Sequence, residues 1–208
     1  QPNSKTLNDA ITAQGKQEPI VLQDSPEIKN GTTKTIDLVV FVAEQIFSGW
    51  NQHEGWTSMG AFVGEMLAQI EYCNQVVLNS EITNFRWNIA KIEVVPNSVF
   101  NTLEALYIET LYEMYNTGRP LNKFCTKVMD DVGADMALMI SQSLKMECGG
   151  IAFVDGEECV VDYGHIATST IHELGHNMGV LHDRATAGAL TSDIKGYNYG
   201  YRIPYTAK

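Results

Sequence analysis

Residues 172 to 183 read HELGHNMGVLHD. His172 and His176 stand four apart, so on a helix both imidazoles leave the same face one turn from each other, spaced to grip one small cation. Glu173 lies beside them, where a carboxylate can take a proton from a bound water without itself being a ligand. Gly179 comes three residues after His176 and can adopt the positive φ that ends a helix and turns the chain back. That turn brings His182 toward the same cation, and three neutral imidazoles with one water make the tetrahedron that a catalytic zinc prefers. Of five histidines in the chain, these three share one short stretch at ligand spacing, which argues against scattered polar residues.

Blander readings compete at each position. Thr170 with Glu173 fits a capping box, in which Glu173 only closes the first helical turn, although Thr168 and Ser169 offer earlier caps. Ile171, Leu174 and Met178 are spaced to pack the opposite helix face on a sheet, which makes Met178 a core residue. Gly175 on that face costs about 1 kcal/mol of helix propensity and suggests that another backbone comes close. His53 and Glu54 read as solvated loop residues. His165 lies in the loop before the helix, near enough in sequence to support the site.

Upstream, residues 35 to 42 read TIDLVVFV, a near-continuous β-branched and aromatic run that suits a strand buried on both faces. Met59, Phe62, Val63, Met66, Leu67, Ile70, Cys73 and Val77 recur at helical steps, with Thr57 or Ser58 as cap. Trp87 to Val95 reads as a strand, Leu103 to Tyr115 and Asn122 to Asp131 as helices, and Ala134 to Ile140 as a third strand. Gly149 to Val154 and Cys159 to Tyr163 are two more strands around the turn signal Asp155, Gly156. This order predicts a mixed α/β sheet. The first 34 residues, polar and holding three prolines, read as an N-terminal extension over residues 1–34.

The chain has 208 residues, 44% hydrophobic and 19% charged, in keeping with one globular domain. Its net charge of −11 repels polyanions, so nucleic acid is disfavoured as a partner. No apolar run reaches membrane-spanning length. Calcium binding by surface carboxylates has no loop motif to support it. Cys73, Cys125, Cys148 and Cys159 form no C-x-x-C pair, so two disulfides in an oxidising compartment is the simplest account, with buried thiols in a cytosolic protein the competitor. Cys148 and Cys159 flank the last strand pair, which would leave Cys73 with Cys125.

HELGHNMGVLHD resembles the metzincin signature H-E-x-x-H-x-x-G-x-x-H, and Asp183 after the third His is similar to its adamalysin or reprolysin branch. CGGIAFV at 148–154 and ECVVDYG at 158–164 are similar to secreted bacterial reprolysin-like and peptidyl-Asp metalloendopeptidases, as are TIDLVVFV, DDVGADMALMI at 130–140 and YNYGYRI at 197–203. The resemblance implies a metzincin fold: a five-stranded twisted sheet with an antiparallel edge strand, and a catalytic subdomain over residues 35–182. Residues 183–208 would begin a short C-terminal subdomain. It implies one catalytic zinc on His172, His176 and His182, Glu173 as general base and acid, and Gly179, Asp183 and Met178 as structural neighbours. The edge strand, Gly149, Gly150, Ile151, Ala152 and Phe153, would bind an extended peptide through backbone bonds, with no side-chain specificity written there. The implied protein is a secreted, monomeric endopeptidase acting on peptide or protein substrates. Two alternatives stay open, an inactive binding module and a latent form with residues 1–34 over the cleft. No Met follows Met178, so the methionine turn of that family is not in this sequence.

Overall fold

The computed structural model describes residues 33–48, 58–145 and 148–182. The extension over 1–32, His53, Glu54, Thr57, Asp183 and the 197–203 stretch lie outside the described residues. Strand β1 (Lys34–Ala43) is an interior strand of the sheet, and Leu38, Val39, Val40, Phe41 and Val42 are all fully buried. Side chains alternate across a strand, so Leu38, Val40 and Val42 enter one core and Val39 and Phe41 the other.

After β1 come α1 (Glu44–Ser48), α2 (Met59–Asn79), β2 (Phe85–Val95), α3 (Tyr107–Tyr115), α4 (Pro120–Val132), β3 (Met136–Ser141), β4 (Gly150–Ala152), β5 (Glu158–Asp162) and α5 (Ile166–Asn177). The five strands form one mixed sheet in the order β2-β1-β3-β5-β4. Pairings among β2, β1, β3 and β5 are parallel, while β4 is antiparallel to β5 at the edge. The chain is therefore α/β, with α2 and α5 on one face of the sheet and α3 and α4 on the other.

Local chemistry sets the helix ends. Ser58 caps α2 by accepting a bond from the Ala61 N–H at 3.2 Å, and Met59, Phe62, Met66, Ile70 and Cys73 make its buried stripe. Pro120 opens α4, and Gly133 closes it at φ 68°. Helix α3 starts four residues later than its apolar spacing suggests, because the Glu109 carboxylate accepts the Leu106 N–H at 2.8 Å and defines the first turn there. Among the described residues no helix is long and apolar enough to cross a membrane.

The expected disulfides are absent: no bridge joins the four cysteines. Cys73 packs in the core under α2 and Cys125 in the core under α4, with the sheet between them. Cys159 stands opposite Ala152 in the β4–β5 ladder, four residues from Cys148. At about 3.4 Å per residue that separates them by roughly 13 Å along the strand, well beyond the ~7 Å Cα limit for a bridge. Burial pushes the Cys73 thiol up to about 11 and raises those of Cys125 and Cys159 as well, which suppresses the reactive thiolate. A thiol reagent added to the native protein should therefore modify exposed Cys148 at once and the other three only on unfolding. Peptide mapping that finds Cys73 joined to Cys125, or Cys148 to Cys159, would overturn this arrangement.

Candidate metal centre

Three devices fix α5. At its start, Asp162 ends β5 and accepts bonds from the Gly164 N–H at 2.9 Å and from His165 Nδ1 at 2.9 Å, turning the chain from strand to helix. The Tyr107 hydroxyl also donates to Asp162, tying this corner to α3. Thr170 is fully buried in the second turn and donates from Oγ1 to the Ile166 carbonyl at 2.7 Å. It cannot cap the helix, so the capping-box reading of Glu173 fails.

Along its length, α5 touches the edge strand backbone directly. A Cβ on Gly149 would lie 2.5 Å from Ser169 Oγ and 3.2 Å from His165 Cγ. One on Gly150 would lie 2.7 Å from Glu173 Cγ and 2.8 Å from its Oε1. The two glycines let β4 cover Glu173, which is only 4% exposed. Burial pushes its carboxyl up to about 7, and a cation alongside would draw it back down.

At the far end, Gly179 adopts φ 85° and its N–H donates to the His176 carbonyl at 2.8 Å, while the Val180 N–H donates to Gly175 at 2.9 Å. The β4–β5 turn is fastened to this helix end. The Asp155 N–H donates to the His176 carbonyl at 3.1 Å, and Asn177 Nδ2 donates to the carbonyls of Phe153 and Glu158 at 3.1 and 3.0 Å. Two expectations are corrected here. Met178 is 41% exposed, because the helix has already ended and no further turn carries it onto the sheet, whereas Leu174 is fully buried as expected. A Cβ on Gly175 would approach no strand backbone, only the Val180 side chain at 3.9 Å.

The C-terminal turn returns His182 to its partners. The Nε2 atoms of His172, His176 and His182 lie 3.0, 3.1 and 3.2 Å apart. An ion held at about 2.0–2.1 Å by tetrahedral nitrogens would set them roughly 3.3 Å apart, so the triangle is closed to within a few tenths of an ångström. His176 Nδ1 lies 2.7 Å from the Val180 carbonyl, which can only accept. The proton is thereby on Nδ1, and the Nε2 lone pair faces the centre. Burial first, and the neighbouring imidazoles second, hold His172 below the usual range and favour the neutral form a metal requires. The three histidines could hold a metal ion, and among the described residues no other cluster of His, Cys, Asp or Glu is so placed.

A cleft of about 590 Å³ runs from this triad between β4 and α5, bordered by Gly150, Ala152 and Val154 on one side and Ser169 and Glu173 on the other. His172 and His182 are exposed, and His176 is partly so, which leaves the ligand side open to the cleft. The structure thus brings together His172, Glu173, His176, His182 and the Gly149–Ala152 edge, and turns the Phe153 side chain away toward α3. Sequence reading missed Asp162, Tyr107 and Asn177. Asp162 had a signal, since an Asp two residues before Gly favours a turn through its own side chain. Tyr107 and Asn177 had none that local pattern could give.

No protein-family model matches the chain, and no curated protein matches it. Among solved structures, a chain described as "Structure of a chaperone-substrate complex" superposes with a TM-score of 0.62 at 15% identity, over 84% of this chain. The present chain spans 30% of that one, and at such identity the likeness is of fold alone.

Two measurements test the centre. Competition against a chromophoric chelator should show uptake of one divalent transition metal per chain, weakened at least ~10-fold by His172→Ala, His176→Ala or His182→Ala. Uptake unchanged in all three variants would remove the site. In chelator-treated protein, Glu173 has a folded pKa raised to about 7 against an ordinary 4.5, so its neutral form stabilises the fold. That contribution is complete below pH ~4.5 and lost as pH rises through ~7. The melting temperature of the parent should therefore fall relative to Glu173→Gln across this window, and a constant difference would contradict the burial of an ionisable group there.

Proposed function

We propose that this chain is a secreted zinc-dependent endopeptidase of metzincin fold. The observation that carries the proposal is the conjunction of three Nε2 atoms within 3.2 Å of one another with a buried carboxylate, Glu173, under an edge strand. Three imidazoles and an open side suit a catalytic zinc better than a structural one, which would have four protein ligands. When bound, the ion supplies Lewis acidity, lowering the pKa of a water toward 7 and polarising a carbonyl.

The chain's own residues do the rest. Asp162 N–H donates to the Gly149 carbonyl, so the antiparallel alternation points the inward backbone groups at Gly149 and Ile151, and turns those of Gly150 and Ala152 outward. An extended peptide bonded to those groups lies along the cleft with its scissile carbonyl beside the triad. Glu173 accepts the proton of the attacking water and delivers it to the leaving amine, so no covalent acyl intermediate is required. Its burial, at 4% exposure, keeps bulk water off the carboxylate. Secretion belongs to the same proposal and rests on the family resemblance, since no bridge joins the four cysteines in the structure.

Glu173→Gln keeps the shape of the side chain and removes the base. With zinc bound, kcat/KM on a quenched peptide should fall by ~10² to 10⁴ while zinc content stays at one per chain. Undiminished turnover with full zinc would end the role given to Glu173. A zinc-loaded parent that binds extended peptides and cleaves none of a broad library would point to a binding module.

A further inference from the structure

Beyond the cleft, a second feature lies along the same edge strand on the opposite face of the sheet. Phe153 follows Ile151 in the alternation and points away from the histidines, into the α3 side. Its ring centroid lies 5.6 Å from that of Tyr112 and 5.1 Å from that of Tyr115, both on α3 and one turn apart. These tyrosines are 48% and 56% exposed, although rings of this size usually bury most of their surface. Among the described residues β4 has a strand neighbour on one side only, so its outer backbone and this aromatic group share one open edge.

We infer that Tyr112, Tyr115 and Phe153 form a substrate subsite that accepts an aromatic or large aliphatic side chain of the bound peptide. The inference rests on the reading of β4 as the peptide-binding edge. A strand added there lies about 4.8 Å out, and its side chains alternate between the two faces. The peptide residue opposite Ala152 faces the cleft and the metal ligands. The next, opposite Phe153, turns to the α3 face, about 5 Å from Phe153 between Cβ atoms and within reach of the tyrosine rings. Chain specificity is thereby read on the face of the sheet away from the chemistry, by two side chains of α3 together with Phe153 at the end of the edge.

The test is binding rather than turnover, with fluorescein-labelled octapeptides of Ser and Ala carrying one Phe, Leu or Ala guest at successive positions. Anisotropy titrations use the full chain, zinc-loaded, as Glu173→Gln. One guest position should favour Phe over Ala by ~10-fold, with Leu between them. Tyr112→Ser and Tyr115→Ser, separately and together, should reduce that preference toward unity with melting temperatures near the parent's, since both side chains are half exposed. Equal binding of Phe and Ala guests at every position, a preference that survives the double variant, or no binding of any peptide would overturn the subsite. So would concentration-dependent self-association that the same variants abolish, which would make the rings a contact between copies. Failure of the protease reading looks different: peptides bind with the aromatic preference, and the chain with Glu173 intact cuts none of them.

Discussion

Between β4 and α5 there is room for a hydrogen atom and not for a methyl group. Gly149 and Gly150 bring the strand backbone onto Ser169 and Glu173, at separations a Cβ would reduce to 2.5 and 2.7 Å. That contact buries the Glu173 carboxyl and raises its proton affinity, and it sets the outward groups of Gly150 and Ala152 at the rim of the cleft beside the histidine triad. Any larger residue at position 150 would have to displace either the Glu173 side chain or strand β4. The glycines serve packing between two backbone elements rather than flexibility.

Most of the fold was legible because its signals are local. The apolar run of β1, the stripe of α2, and Asp155 with Gly156 between β4 and β5 each act within a few residues of themselves. The histidine triad was legible for the same reason, since His172, His176, Gly179 and His182 lie close together in the sequence. The place of Glu173 beside the triad was legible, but its burial was not, because the covering strand comes from Gly150, far upstream in sequence. The errors share one cause. Pairing Cys73 with Cys125 ignored the face on which each helix packs, and extending the buried stripe to Met178 ignored where α5 stops.

The corner at Asp162 shows how the remainder of the site is held from outside the motif. A buried carboxylate takes bonds from Tyr107 on α3, from the backbone of Gly164 and from His165, while its own N–H holds the Gly149 carbonyl. One residue thus fixes the start of α5, the first residues of the edge and the helix beneath the sheet. Buried polar junctions of this kind specify a geometry more than they stabilise it, because each partner lost leaves another group unpaired.

The turn between β4 and β5 is fastened to the end of α5 by Asn177 and by the Asp155 N–H, and that helix end is where the chain folds back to present His182. The Gly150–Ala152 edge and His182 are therefore two leaves of one junction. On the proposed reading, whatever immobilises one leaf lowers the entropy that the other must lose, so occupancy of the edge by a peptide and retention of an ion would be reciprocal, each strengthening the other by the same factor.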